Sequence, residues 1–522
     1  MKKPRNKTAN RRLHYLGIMA AAGLITSGAV PGLAQQTIDP QVSDTFNGAT
    51  GDVTIEGRTN NGTGQNATVT WANTDITGNL IFGDMADDTS ASVGIDLTVG
   101  TDGGVTGIIS NTGDNTGANI TFSGTSGLDA SGLAGGANCI NITNDTSNTV
   151  TVSGDVNGNV TLAGDGIYNL NTIGGTAGEQ TVLNLNGSGP NVDAVAIGNA
   201  TGSTTVNITS GLFGQTSAPA VSGQVGINLN GTGAQGANVG QINDGSVLTV
   251  GGTNTDNASL TTGDINTTLG VTINVNDSVA LAQGSGSEVT GSGQLDLNIA
   301  ADASAALGNV GTAVLVANGD GVLTTGILTG TSLTAGNTGG VTTLDVDGGT
   351  ITIEAGSSVE TDGNLSGSTT IDVADTGKYQ QSTPASQTVE GNLTVNNSNT
   401  ATGLSVILGR LINDGVITVA SANGETVVSG VDRGALKGKT VGSQDYITIN
   451  GDVGNTVTGG SLTLGDGTAD GAINADMNGD IIGGATDSDK TVINVADGSS
   501  LSGNAGVSGH TDFVIAENGS AT

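Results

Sequence analysis

Cysteine is all but missing from this chain. Cys139 is the only one among 522 residues, so no intrachain disulfide can form and stability must come from another source. Histidine is nearly as scarce. His14 and His510 are the only two, which removes histidine-rich metal clusters and leaves a Ser-His-Asp arrangement a single residue to draw on. Aromatic residues amount to 2%, and from Gln35 onward they are Trp71, five Phe and three Tyr, too few for the flat platforms on which sugars stack. Positive charge is the last deficit. Six of the 13 Lys and Arg precede Leu13 and none of the acidic residues do, so the chain from Gln35 carries 7 cations against 47 Asp and Glu, a formal charge of −40. Such a surface repels nucleic acid, whose binding needs clustered cations. It also repels anionic membranes and attracts divalent cations, though charge alone builds no ligand cage.

What the chain does contain begins with an export signal. Lys2, Lys3, Arg5, Lys7, Arg11 and Arg12 are followed by an apolar or small stretch from Leu16 to Val30, and then by Gly32-Leu33-Ala34 before Gln35. A basic start, an apolar run and a small-residue exit make a cleavable secretory signal over residues 1–34. The run falls short of the roughly 20 residues that a spanning helix needs. Arg11-Arg12 also fits a twin-arginine route, although adjacent arginines arise easily in so basic a segment.

Glycine is abundant, 90 of 522 residues, yet 35% of the chain is hydrophobic and much of that is β-branched. Disordered chains lack that class. Here it is placed in a recurring theme: apolar, then Asn, Thr or Asp, then apolar, closed by Gly, Asn or Asp. The theme appears as Val206-Asn207-Ile208, Ile227-Asn228-Leu229, Leu248-Thr249-Val250, Ile273-Asn274-Val275 and Leu295-Asp296-Leu297, with steps of 21, 21, 25 and 22 residues. It returns as Ile351-Thr352-Ile353, Ile371-Asp372-Val373, Leu393-Thr394-Val395 and Ile417-Thr418-Val419, with steps of 20, 22 and 24. Alternation over a few residues marks a half-buried strand, and the residues that close each run supply tight turns. A steady period in the twenties predicts an all-β parallel β-helix, or β-solenoid, over residues 35–522, at about 20–25 residues per turn. Its Val, Ile and Leu would stack in a thin core, and its Asn and Thr would face outward or form ladders. A string of β-sandwiches would not need so steady a period, and a leucine-rich repeat would need a leucine pattern and a helical half that are absent. At about 4.8 Å per turn the rod would be about 110 Å long.

Two segments break the pattern. Lys378 to Pro384 shows no alternation and carries a proline, which predicts an inserted loop near 376–390. Val431 to Tyr446 gathers Arg433, Lys437 and Lys439, which predicts a basic loop near 431–446, either merely solvated or a docking loop for an acidic partner. Leu404 to Ile412 reads as a longer apolar run around Arg410, and Phe513 to Thr522 as one more strand and turn without a capping unit, as in a fragment of a longer protein.

A search for chemistry finds little. His510 in Gly509-His510-Thr511 reads as a lone surface histidine. Cys139 in Asn138-Cys139-Ile140 has no base or cation near it in sequence and reads as a small buried residue. Asn73-Thr74-Asp75 with Asp87-Asp88 resembles two short signatures of polygalacturonases, but that family's Gly-His-Gly and Arg-x-Lys elements have no counterpart. Gly465-Asp466-Gly467 and Asp470-Gly471 hint at calcium, but the tandem glycine-aspartate nonapeptide and the EF-hand loop do not occur, so these read as turns. No catalytic, cofactor-binding or metal-binding residue is assigned.

With its extended basic start to Arg12, its Gly32-Leu33-Ala34 exit and turns such as Gly391-Asn392-Leu393-Thr394-Val395-Asn396 and Ile447-Thr448-Ile449-Asn450-Gly451, nearly the whole chain resembles the passenger region of classical autotransporters and related large bacterial surface adhesins. Ala194 to Ala200 is similar, once, to the head repeat of trimeric adhesins. The resemblance implies a right-handed parallel β-helix carried through the outer membrane of a Gram-negative bacterium by a C-terminal β-barrel. No terminal series of amphipathic strands is present to form one, so either the barrel lies beyond Thr522 or export takes another route. The implied function is a non-catalytic structural or adhesive rod, secreted or held at the cell surface. Its partners would be host or neighbouring-cell surface molecules or matrix glycans. The alternatives are a pectinase-like, polysaccharide-cleaving β-helix enzyme and a surface-layer or matrix component.

Overall fold

The computed structural model describes residues 149–522 apart from 232–235, 254–257, 337–339, 344, 399–403, 422–424, 439–445 and 469–470, together with a series of strands between 35 and 145 and a few residues beside them. Among the described residues the regular structure is β-strand, with one short 3-10 turn at Asp487–Asp489 and no α-helix. Every strand pairing is parallel, and successive partners lie about 22 residues apart along the chain. The chain is therefore a β-solenoid.

One coil shows how the sequence does this. Ser203–Ile208 is a strand in which Thr204, Val206 and Ile208 are buried and their neighbours are not, the period-two signature of a pleated strand with one wet face. Leu212–Phe213 and Ala220–Val221 are two shorter strands, after which Gln224–Leu229 returns to lie in register on Ser203–Ile208. Each coil thus has three strand segments, and each segment pairs with its own equivalents above and below. Leu212–Phe213 pairs with Asn191 and Val192, while Ala220–Val221 pairs with Ala196 and Ile197. The inward side chains form three columns that meet inside. Ile208 and Leu229 belong to the broad face, Phe213 and Leu260 to the second, and Val221, Ile242 and Ile265 to the third, all fully buried. Burying one such aliphatic side chain is worth about 1.5–3 kcal/mol. Each coil contributes only a few, so no coil can stand alone and stability comes from stacking.

Corners are tight, and some accept glycine alone. Gly223 has φ +69°, and a Cβ there would lie 1.7 Å from the Asn199 carbonyl oxygen of the preceding coil. Gly391 repeats the situation against Gly367, at φ +90° and 2.2 Å. Both the backbone conformation and the close approach exclude any side chain.

The structure corrects three readings of the sequence. The theme at Leu248 does not stack on the one at Ile227. Leu248 pairs with Val225 and Val250 with Ile227, so the true step is 23 residues. The loop expected near 376–390 is partly wall. Lys378–Gln381 is a strand with Tyr379 and Gln381 inward, and Thr388–Val389 is another, so only the corner between them is irregular. Alternation was hidden because one of the inward residues is glutamine. The basic loop expected near 431–446 begins as a strand instead: Arg433–Gly438 stacks on Gly415–Ser421, with Leu436 beneath Ile417. Its cations sit at outward positions, which hid the pattern, while Lys439 lies outside the described residues.

The larger polar side chains that enter the core near Tyr379 are hydrogen-bonded, whereas the buried hydroxyls of Thr181, Thr204, Thr262 and Thr426 have no partner among the described residues. Gln381 donates to the carbonyls of Gly363 and Thr388 at 2.9 and 3.3 Å and accepts from the Gly409 amide at 2.5 Å. Tyr379 shares a 2.9 Å bond with the Thr361 hydroxyl, to which Thr343 donates at 3.2 Å. Burial holds the Tyr379 hydroxyl far above the ordinary tyrosine range, and it holds Tyr168 there as well. Both phenols stay neutral and act as structural hydrogen-bonding groups.

Candidate functional site

The most organised surface is the outer side of the broad face, where the polar residues of the repeat line up from coil to coil. Asn141 donates its amide to Asn119 at 2.7 Å. Asn207 donates to Asn184 at 2.8 Å, and Asn228 donates to Asn207 at the same distance. The row resumes with Asn274 to Thr249 at 3.1 Å, Asn298 to Asn274 at 2.8 Å and Asn318 to Asn298 at 3.4 Å. Asn396 donates to Asp372. An amide has one acceptor and two donor positions, so it can bond above and below at the strand spacing, which threonine or serine does less completely. The result is a half-buried ladder running along the rod. Its hydrogen-bonding capacity is spent largely on itself.

A second ladder stands at the corner before the third column, and sequence reasoning missed it. Asp52 accepts the Asn79 backbone N–H at 2.8 Å while Val53 donates its own N–H to the Asn79 carbonyl at 2.8 Å. The same two-bond clamp joins Asn309 and Val310 to Ile327, at 3.2 and 2.8 Å, and Asp345 and Val346 to Asn364, at 2.6 and 3.0 Å. It joins Asp452 and Val453 to Asp480 at 2.9 Å each, and Asp480 and Ile481 to Gly506 at 2.9 and 2.8 Å. The signal was in plain view as Gly-Asx-aliphatic, in Gly78-Asn79-Leu80, Gly308-Asn309-Val310, Gly363-Asn364-Leu365, Gly451-Asp452-Val453 and Gly479-Asp480-Ile481. It looks like an ordinary turn. Only the stacking reveals that the side chain reaches the next coil rather than its own.

The residues singled out from sequence do not gather. His510 is exposed, and its backbone joins a corner by donating to Gly484 and accepting from Thr491. Asp466 caps its own turn: its carboxylate accepts from the Thr468 hydroxyl at 2.5 Å and from the Thr468 amide at 3.0 Å, and these bonds hold it below the usual carboxylate range. Arg410 reaches Asp432, one coil on, at 2.5 Å and the Gly454 carbonyl, two coils on, at 3.2 Å. Arg433 lies 3.7 Å from Asp414. Lys490 lies 2.6 Å from Asp512 and 3.8 Å from Asp487, and the Asp512 hydrogen bond holds its ammonium above the ordinary lysine value. Cys139, Asn73-Thr74-Asp75 and Asp87-Asp88 lie outside the described residues. Among the described residues, no group of three or more His, Cys, Asp and Glu is placed to hold a metal ion, and no helix is long and apolar enough to cross a membrane.

A cavity of about 300 Å³ opens at the last coil between Met477, Ile481, Leu501, Phe513 and Ile515. It continues the core columns, and none of its lining side chains is titratable. No family model, curated protein or solved structure matches the chain.

Proposed function

We propose that this chain is an exported structural or adhesive rod of the bacterial cell surface, built like the passenger region of an autotransporter. The observation that carries the reading is the asparagine ladder. Along the broad face the outward polar side chains bond to their own equivalents in the neighbouring coils, at 2.8 Å in the best cases, instead of converging on one point. An enzyme gathers acid, base and positioning groups within reach of a reacting atom. A ladder spreads equivalent groups evenly, which suits stiffness and repeated weak contacts. The acidic surface and the signal-like start support export, and the partners in this reading are cell-surface molecules or matrix glycans. Purified protein fixed to beads should make them adhere to cells or immobilised glycans while leaving a panel of acidic and neutral polysaccharides intact. Release of reducing or unsaturated ends from any polysaccharide would overturn the reading.

A further inference from the structure

The coil geometry also places one reactive peptide bond apart from its chemical equivalents. Among the described residues, Asn-Gly pairs occur at Asn157, Asn186, Asn230, Asn318, Asn450, Asn478 and Asn518. This dipeptide is the one most open to attack of a backbone nitrogen on the preceding side-chain amide, because glycine offers no hindrance. What differs between the pairs is how the fold holds the asparagine. Asn450 and Asn478, which close two strands of the second column, are bonded to each other, and Asn318 is bonded to Asn298. Asn157 and Asn230 accept the N–H groups of Thr176 and Thr253 from the following coil. At Asn518 the Gly519 N–H is turned toward the Ala516 carbonyl.

Asn186 is arranged otherwise. It is exposed, at the corner that follows Gln180–Leu185. Its side-chain oxygen accepts the backbone N–H of Gly187, the residue next to it, at 2.9 Å. That oxygen is bonded to Cγ, so Cγ stands close to the nitrogen that would attack it. Gly187 holds φ +95°, where a Cβ would meet the Gly164 amide nitrogen at 2.9 Å, so the turn depends on this glycine. The flanking amides are fixed: Asn186 donates to Leu162 and Gly189 to Gly164, both at 2.9 Å. The corner is thus held in a folded-back shape while its reactive pair faces water. Reactions gain most when the atoms already sit near the distance of attack.

We infer that Asn186 is a self-modification site of the folded rod, the one of the seven described Asn-Gly pairs at which succinimide formation runs fastest. The Gly187 nitrogen gives up its proton to hydroxide and bonds to Cγ, and the Cγ–Nδ2 bond breaks as Nδ2 takes a proton from water and leaves as ammonia. Water then opens the imide at either carbonyl, leaving an aspartyl or isoaspartyl residue and one more negative charge at position 186. The inference stands independently of the adhesive reading.

The test is ageing of the purified, folded chain in mildly alkaline buffer, followed by peptide mass spectrometry and isoaspartate detection at each Asn-Gly pair. Modification at Asn186 should outrun that at Asn450 and Asn478 by roughly 10-fold to 100-fold, the cost of an ångström-scale misplacement. In chain unfolded by denaturant the difference should collapse, because local sequence is then all that remains. Equal or slower modification at Asn186 in the folded protein would overturn the inference. So would an advantage of the same size in the unfolded chain, which would assign it to sequence alone.

Discussion

The coils between Leu185 and Ile299 and those between Ile417 and Val495 are built to different lengths on the same plan. In the first stretch, residues that stack on one another in the broad face are 21 to 25 positions apart, and the outer surface carries the asparagine ladder. In the second, Leu436 follows Ile417 after 19 positions, Leu464 follows Leu436 after 28, and Val495 follows Leu464 after 31. The extra residues leave at corners, as around Asn455–Gly459 and Asp487–Lys490, and the chain returns in register. Core columns constrain register strictly because slipping by one residue would turn every inward side chain outward. Corners constrain length hardly at all, since longer loops cost little additional closure entropy. Fixed columns and free corners are therefore the rule of this molecule.

The sharpest attempt to break that rule is a pair of core truncations. Ile227→Ala in the regular stretch and Leu464→Ala in the long-coil stretch should each cost about 2–5 kcal/mol in urea denaturation. A much smaller loss at Leu464 would mean that the long coils are only loosely stacked. Next comes the inter-coil bridge that opens the irregular stretch. Arg410→Ala should cost about 1 kcal/mol, discounted because both partners are partly exposed, and Arg410→Lys should recover only part of it because the reach to Gly454 is lost. The corner clamp comes third. Asp452→Ala should cost about 1 kcal/mol, while Asp452→Asn should be nearly neutral, because an amide oxygen can accept the same N–H. Asparagine already does so at Asn309. If Asp452→Asn is as harmful as the alanine variant, charge rather than the hydrogen bond holds the corner.

The smallest effect belongs to Asp466. Its carboxyl titrates lower in the folded chain than in the unfolded one because Thr468 donates two hydrogen bonds to the charged form. The stabilisation is present above the unfolded value and fades as pH falls through the folded value. Thr468→Val removes the hydroxyl bond, so NMR titration of this variant should show the Asp466 carboxyl moving up toward the ordinary range, with little change in global stability.

Much of the architecture was legible in the sequence. Alternating triplets at a twenty-odd period reported strands, inward faces and stacking, and the Asn and Thr positions pointed outward as expected. Register was less legible. Leu248-Thr249-Val250 looks like a copy of Ile227-Asn228-Leu229, but it stacks two residues away, a slip that keeps the same side chains inside and so leaves no trace in hydrophobic pattern. Strands whose inward residue is polar were hidden as well. Gln381 reads as loop until the carbonyls around it are seen to satisfy its amide. The clamps at Asp452 and Asp480 escaped for a related reason: their partners are backbone groups 28 and 26 residues away, which no local pattern records.

The clamps and amide rows share one direction, along the long axis, and that has a mechanical corollary. A pull on the two ends loads every coil-to-coil bond in series, so the joint with the fewest bonds yields first and its neighbours then lose the support of a stacked partner. Under tension such a body would unzip from its weakest seam, one coil after another, giving a sawtooth of small steps rather than a single rupture. A tether that lengthens in increments sheds force gradually.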